Sequence, residues 1–237
     1  PRLGSASGAE LVATLENPNS WWRETAQRLL FERQDKSVIA ALQTMVRQGK
    51  LPQARLHALW TLAGLGELTK DDVLVALKDS AAGVREHAVK LAEPRALTAA
   101  ILPLARDADA RVRFQVAFTL GELNDQRALD ALAYIAKRDA DDPWIRTAVL
   151  SSVPNDGDEL LARLLTDKAF TGDPTSIDLI GELAQIIGAR GKSEEMQRVF
   201  EQATDIASLC EVSLGVGEGL KRGGKSLRGA GLTAAAK

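Results

Sequence analysis

The segment GVREHAVKLA, residues 83–92, decides the fold, because its pattern recurs along the chain. Counted from Arg85, the third following residue is Ala88 and the seventh is Ala92. Positions at these offsets lie on one face of an α-helix. The segment therefore predicts an amphipathic helix with a buried stripe of small residues, which lets a neighbouring helix approach closely.

Four further segments align on an arginine in the same way: WWRETAQRLL (21–30), QARLHALWTL (53–62), RVRFQVAFTL (111–120) and WIRTAVLSSV (144–153). Successive arginines are 32, 30, 28 and 33 residues apart, and they are Arg23, Arg55, Arg85, Arg113 and Arg146. The third and seventh positions after each are small or aliphatic without exception. A period of this length indicates a helical repeat protein.

Other segments with helical apolar periodicity lie between the arginine helices, at residues 37–46, 71–79, 96–105, 128–136 and 158–165. Two more second helices are expected at 176–188 and 208–220, with Asp178 and Cys210 at the arginine position. Each repeat is thus a helical hairpin, which must stack on its neighbours to bury its apolar face. The predicted fold is all-α, an α-solenoid (superhelix) of about six to seven hairpins.

Short turns precede the arginine helices. Asn17, Asp79 and Asp107 each lie six residues before an arginine, where their side chains are expected to cap the following helix. Gly49 and Ala140 stand at that position in the other two repeats, and the neighbouring Asp139, Asp141 and Asp142 are expected to serve in place of Ala140. A helix start is favoured over a cation site for this acidic cluster.

The pattern V-R-x-x-A-x-x-x-L preceded by an aspartate resembles HEAT repeats over residues 10–221. The resemblance implies first helices on the convex side of a solenoid and second helices on the concave side. It also implies a ladder of side chains between repeats, here Arg23, Arg55, Arg85, Arg113 and Arg146 with Asp79 and Asp107. We therefore expect a HEAT-like solenoid over residues 1–221, with clear repeats at 10–153 and degenerate ones at 154–221, and a Gly/Ala-rich basic linker at 222–237.

NPNSWWRETAQRLLFERQD (17–35) and LPQARLHALWTLAGLGEL (51–68) carry a closer resemblance. They are similar to the HEAT-repeat region of large bacterial membrane-bound dehydrogenase and haem-binding multidomain proteins. That family implies export, a redox parent with haem elsewhere in it, and a spacer or docking role for this segment. Both ends of the chain also predict a piece of a longer protein.

Composition narrows the function classes. A net charge of −2 gives no global reason to expect nucleic acid or an anionic membrane as partner. One cysteine excludes an internal disulfide and a Cys-x-x-Cys-His haem attachment. GLKRGGKS, residues 219–226, fits a phosphate-loop pattern, but a predicted helix precedes it where a strand is required. We therefore expect no catalytic residue, no metal and no cofactor in this segment.

A mixed basic and aromatic strip is the candidate binding surface. Residues two and five positions after each arginine share a helical face distinct from the buried one. These positions supply what we call the second-helix strip: Arg28, His57, Trp60, His87, Lys90 and Phe118. Aromatic residues and arginine dominate binding hot spots, although Trp60 and Phe118 could instead fill gaps between stacked helices. Trp22 is expected in the core, and Trp21 and Trp144 over helix entrances.

Three functions remain in competition. The leading hypothesis is a non-catalytic scaffold that docks a partner protein or a neighbouring domain. The second is a tetrapyrrole-handling protein similar to the HEAT-repeat bilin lyases, in which His57, His87 or Arg55 would contact haem or bilin. The third, a nucleic-acid-binding solenoid similar to the HEAT-like DNA glycosylases, requires a strongly basic groove that the charge balance argues against.

Overall fold

The computed structural model describes residues 2–123 and 125–226, and throughout these residues the regular structure is helical. The chain divides into two compact units, Pro1–Val116 and Ala117–Lys237. The first unit holds α1 (Gly8–Thr14), α2 (Ser20–Arg33), α3 (Ile39–Gln48), α4 (Pro52–Gly64), α5 (Lys70–Ala76), α6 (Ala82–Ala92), α7 (Thr98–Ile101) and the first part of α8 (Ala110–Gly121).

The first unit is built of two layers. Helices α1, α3 and α5 pack side by side in one layer, and α2, α4 and α6 in the other. Each first-layer helix also packs on the helix that follows it in the chain. The helical hairpins that the arginine spacing predicts are therefore present, and they stack in sequence order.

The second unit begins at Ala117 within α8 and is also built of packed helices. It contains α9 (Gln126–Arg138), α10 (Pro143–Ser151), α11 (Gly157–Leu165), α12 (Lys168–Thr171), α13 (Ile177–Arg190), α14 (Ser193–Gln202) and α15 (Ile206–Arg222). Helices α11 and α14 pack together, as do α13 and α15. The two degenerate second helices expected at 176–188 and 208–220 are confirmed as α13 and α15. The all-α solenoid fold is confirmed. The expected single domain over 1–221 stays a prediction, and most of the expected linker at 222–237 lies outside the described residues.

The stripe after each arginine is the core. All ten residues at the third and seventh positions are at most 1% exposed: Ala26, Leu30, Ala58, Leu62, Ala88, Ala92, Val116, Leu120, Val149 and Val153. Burying a large aliphatic side chain contributes about 1.5–3 kcal/mol, so the larger members of this stripe supply a substantial part of the folding free energy. Position 22 departs from the prediction, since Trp22 is only half-buried.

The repeat arginine stabilises the turn that precedes its own helix. In all five repeats Nη1 donates a hydrogen bond to the carbonyl oxygen six residues earlier, at 2.7–3.0 Å; the acceptors are Asn17, Gly49, Asp79, Asp107 and Ala140. Because the acceptor is backbone, this contact does not depend on the side chain at that position. It accounts for the constancy of the arginine in repeats whose turns differ in sequence.

Arg55 and Arg85 also reach the next repeat through their side chains. Arg55 Nε and Nη2 donate to both carboxylate oxygens of Asp79 at 2.6 and 2.7 Å, and Arg85 does the same to Asp107 at 2.7 Å for both bonds. Such bidentate pairs are strong and geometrically specific. The expected ladder is therefore present between these repeats.

The contacts between repeats differ where another residue stands at the position of Asp79 and Asp107. Gly49 stands where a partner of Arg23 would lie, and Arg23 Nε is buried without a hydrogen-bond partner. An added Cβ at Gly49 would lie 2.7 Å from the Met45 carbonyl oxygen, so the turn requires glycine there. In the second unit Arg146 faces Asp178 and Glu182 on α13, each at 3.5 Å. Asp178 and Glu182 thus provide ion-pair partners for Arg146, and Arg146 Nε makes no hydrogen bond to either.

The expected capping role of Asn17, Asp79 and Asp107 was wrong in detail. Their side chains accept the backbone N–H of the residue two positions later, at 2.8–2.9 Å, and so shape the turn before the helix. The cap itself is Asn19 for α2, whose side chain accepts from Trp21 N. For α10 it is Asp142, which accepts from the amides of Trp144 and Ile145 and confirms the helix-start interpretation of the acidic cluster.

Candidate binding strip on the second helices

Trp60 and His87 form the centre of the candidate site. Trp60 on α4 donates from Nε1 to Nδ1 of His87 on α6 at 3.1 Å, and the two rings meet edge to face with centroids 5.9 Å apart. Both side chains are half-buried. The hydrogen bond fixes the orientation of the indole, while part of each ring remains accessible to a partner.

His57 occupies the same position one repeat earlier. Its Nδ1 lies 2.6 Å from the Gln27 side-chain oxygen on α2, so Nδ1 carries the hydrogen in this tautomer. Burial lowers the pKa of the His57 imidazole, and repulsion from Arg23 lowers it further against the weaker attraction of Glu24. His57 is therefore neutral at pH 7 and contributes a polar contact with no charge.

The basic residues of the strip, Arg28 and Lys90, are exposed to solvent. Lys90 lies in the last turn of α6, and Arg28 on α2 is paired with Glu32 at 3.7 Å in a solvent-exposed contact. Exposed pairs of this kind contribute little to stability, so Arg28 is free to exchange its partner. The strip in the first unit thus combines an oriented aromatic centre with two exposed cations.

Phe118 is the one member of the strip in the second unit. It lies on α8 beyond Val116 and is 37% exposed. The structure brings His57 against α2 and Trp60 against His87, all within the first unit. The continuation of the strip to Phe118 stays a prediction.

Gln27 is a member of this surface that sequence reasoning missed. It lies four residues after Arg23, while the strip was defined by offsets of two and five. A side chain at offset four or five of one repeat meets offset two of the next, as Gln27 meets His57 and Trp60 meets His87. Pairing hydrogen-bonding residues at these offsets between repeats would have identified it.

The other tryptophans prove to be more exposed than expected. Trp21 is 58% exposed and rests edge to face on Trp22 at 5.0 Å, and Trp144 is 73% exposed at the start of α10. Packing over the start of a helix therefore covers only the smaller part of the surface of either ring. Glu195 in the second unit is buried and accepts two hydrogen bonds from Arg190 at 2.8 Å.

The phosphate-loop match is resolved by its setting. Gly219 lies inside α15, which ends at Arg222, and Gly224 adopts a positive φ of 70°. Lys225 N then donates to the Leu220 carbonyl oxygen at 2.9 Å, which closes the helix end. The segment is a glycine-terminated helix C-terminus.

Within residues 2–123 and 125–226, no group of three or more His, Cys, Asp or Glu side chains is arranged to hold a metal ion. No helix in that part of the chain is long and apolar enough to cross a membrane. An open cavity of about 530 Å³ in the first unit is lined by α3 and the Gly49 turn, and neither histidine contributes to it.

The family model of HEAT repeats matches this chain at residues 71–154 and 98–186. These ranges cover the hairpins from α5 to α13. The matched HEAT repeats together span residues 71–186, just under half of the chain. The Arg85–Asp107 pair and the buried stripes after Arg85, Arg113 and Arg146 lie within these residues.

Among solved structures, the X-ray structure of YibA from Escherichia coli is similar at a TM-score of 0.54 and 15% identity, with 91% of this chain and 94% of that chain covered. At this identity the similarity shows the fold alone. An engineered protein matches at a TM-score of 0.32 and 19% identity, over 92% of this chain and 98% of that one. A search of curated proteins finds no significant match.

Proposed function

We propose that this chain is a non-catalytic protein-binding scaffold and that the second-helix strip of its first unit is a binding surface. HEAT repeats generally mediate protein interaction or scaffolding. The observation that carries the assignment to the strip is the Trp60–His87 pair, which holds a half-exposed indole in one orientation. Aromatic residues that become buried against a partner dominate binding hot spots.

The strip suits an extended peptide segment or a loop of a neighbouring domain. Its polar pairs, Gln27–His57 and Trp60–His87, are made before any partner arrives, so little side-chain freedom is lost on binding. Arg28 and Lys90 offer cations to an acidic or carbonyl-rich partner. Phe118 extends the proposal to α8.

The finer parts of the proposal rest on resemblance. A place within a larger exported redox protein follows from the similarity of residues 17–35 and 51–68 to the dehydrogenase and haem-binding multidomain family. In that setting the partner is a neighbouring domain of the same chain. The alternative of tetrapyrrole handling would use the remaining Nε2 atoms of His57 and His87.

The test is a selection of binding peptides from a displayed random library on the purified chain, followed by fluorescence-anisotropy titration of the selected sequences. Trp60→Ala is expected to weaken binding by about 30-fold or more, as for a hot-spot residue worth about 2 kcal/mol. Trp144→Ala removes an equally large but far more exposed ring and is the matched control.

Peptides that lose affinity on Trp60→Ala and keep it on Trp144→Ala would support the strip. Equal affinity for both variants, or loss on Trp144→Ala alone, would contradict it. His87→Ala separates anchoring from orientation, because it leaves the indole in place but removes its hydrogen-bond acceptor. It is expected to weaken binding less than Trp60→Ala does.

A further inference from the structure

Helices α13 and α15 approach each other unusually closely because glycines line their contact. A Cβ added at Gly219 would lie 2.2 Å from the Gln185 carbonyl oxygen, and one added at Gly188 would lie 2.3 Å from that of Val216. At Gly215 the nearest atom would be the Gly181 carbonyl oxygen at 2.5 Å. The backbones of α13 and α15 are therefore in contact. The side chains on either side of this contact project outward and form two walls.

These walls enclose an open groove of about 300 Å³ in the second unit. Gly181 and Gly215 lie in its floor, with Ile177 and Leu214 as apolar lining. Leu214 is 63% exposed and Ile177 is 39% exposed, so the groove offers apolar surface that this chain does not cover. Space and exposed aliphatic surface together are features of a docking site.

The groove is also strongly acidic. Four carboxylates line it, and they are Asp178, Glu182, Glu211 and Glu218. Arg146 faces the first two at 3.5 Å, and the Gln185 amide donates to Glu218 at 2.8 Å. One guanidinium thus stands against four carboxylates. This charge excludes phosphate-bearing partners and selects for a cationic one.

We propose that the groove between α13 and α15 binds a basic segment of a partner protein that carries an aliphatic residue between lysines or arginines. The aliphatic side chain packs on Leu214 above the glycine floor, and the flanking cations meet the carboxylates on either wall. The methylene stems of lysine and arginine cover the remaining apolar surface. This site uses different residues from the second-helix strip. The groove is acidic and suits a basic partner, whereas the strip is basic and suits an acidic one.

The groove provides its own blocking variant. A Cβ at Gly181 would meet only the Glu211 carboxylate, at an ordinary 3.6 Å, and Gly181 lines the groove, so Gly181→Leu is the blocking variant. Gly83→Leu is the matched control, because Gly83 on α6 has open space around its own Cβ position. Far-UV circular dichroism and thermal unfolding check that each variant is folded.

The experiment is an anisotropy titration with three labelled peptides, KKLKKLKK, KKSKKSKK and EELEELEE. The first is expected to bind at least about tenfold more tightly than the second, and the third not at all. Gly181→Leu, Leu214→Ser and Glu211→Gln with Glu218→Gln are each expected to weaken binding of the first peptide by about fivefold or more. Gly83→Leu and Trp60→Ala should leave it unchanged.

Each contrary result assigns the surface elsewhere. Equal binding of the leucine and serine peptides would show that only charge attracts the peptide, which would contradict the apolar part of the site. Failure of KKLKKLKK to bind would overturn the site. Loss of binding on Trp60→Ala alone would place the peptide on the second-helix strip. A concentration-dependent dimer in sedimentation velocity, abolished by Leu214→Ser, would show a second copy as the occupant and overturn the basic partner.

Discussion

The two units stack their hairpins by different means. In the first unit, Arg55 and Arg85 cross to the next repeat through bidentate pairs with Asp79 and Asp107. In the second unit, α13 and α15 lack the repeat arginine and meet through glycines that bring the backbones into contact. The contact between α13 and α15 thus relies on close backbone packing, whereas Arg55 and Arg85 link their repeats through bidentate ion pairs.

The last two helices follow a different register. Counted from Asp178 and Cys210, the third and seventh positions are only half-buried, whereas the core residues of these helices include Leu183, Ile187, Val212 and Val216. The arginine pattern therefore does not continue into α13 and α15, although both helices are present. Their glycine contact leaves a groove beside it.

The largest expected effect concerns the ladder. Arg85→Met removes the partner of Asp107, whose side chain is only 5% exposed, and should lower the free energy of unfolding by about 3 kcal/mol. Arg23→Met removes only two bonds to backbone carbonyls and should cost about 1–2 kcal/mol. Urea unfolding followed by circular dichroism measures both. Equal losses would show that the carboxylate adds nothing to the turn contact.

The glycine contact gives the next contrast. Gly219→Ala places a methyl group against the α13 backbone and should cost about 1–3 kcal/mol through overpacking. Gly181→Ala has room for its methyl group and should stabilise α13 by up to about 1 kcal/mol. Hydrogen exchange of α13 and α15 reports the local effect. Faster exchange in Gly181→Ala than in Gly219→Ala would refute close packing at Gly219.

A smaller contrast concerns pH. Burial alone raises the pKa of the Asp107 carboxyl group, but hydrogen bonds from Arg85 and the Asp109 amide outweigh it, and the pKa lies below its ordinary 3.8. Asp107 therefore adds stability above pH 3.8 that is lost as the pH falls toward its folded pKa. At Asp158 in the second unit, burial keeps the pKa above 3.8 despite the attraction of Arg198. That carboxylate costs stability above its folded pKa, and the cost disappears as the pH falls.

Acidification below about pH 4 should thus weaken α6 before it weakens α11. Hydrogen exchange of the two helices across this range measures the difference. Asp107→Asn should reduce the pH dependence at α6, where Asp79 also has a lowered pKa, and Asp158→Asn should leave it intact. Preferential loss of α11 would contradict the assigned directions of the two pKa shifts.

The smallest expected effect is that of haem. His57 and His87 each use Nδ1 in a hydrogen bond to a neighbouring helix, and we expect added haem to give no Soret shift that depends on either residue. Absorbance titration of the wild type, His57→Ala and His87→Ala tests this. A saturable shift lost in both variants would favour the tetrapyrrole alternative over the scaffold.

Much of this architecture can be predicted from local pattern. In the five arginine repeats, the buried stripe at offsets three and seven specifies the helices and their core face, because both offsets lie on one side of a helix. The exposure of Trp21 and Trp144 could not be predicted, because it depends on which neighbours the turn presents. The groove at Gly181 and Gly215 was also missed, since a glycine contact between α13 and α15 requires knowing that those helices are adjacent.

The most direct test of the scaffold proposal is the indole Nε1–H resonance of Trp60, assigned by Trp60→Phe among the four tryptophans, during titration with a peptide selected for binding. We predict that this resonance shifts progressively with peptide, because the partner packs on an indole held by His87, while the Trp144 resonance stays in place. Binding of the peptide without any change at Trp60 would contradict the second-helix strip as the binding surface.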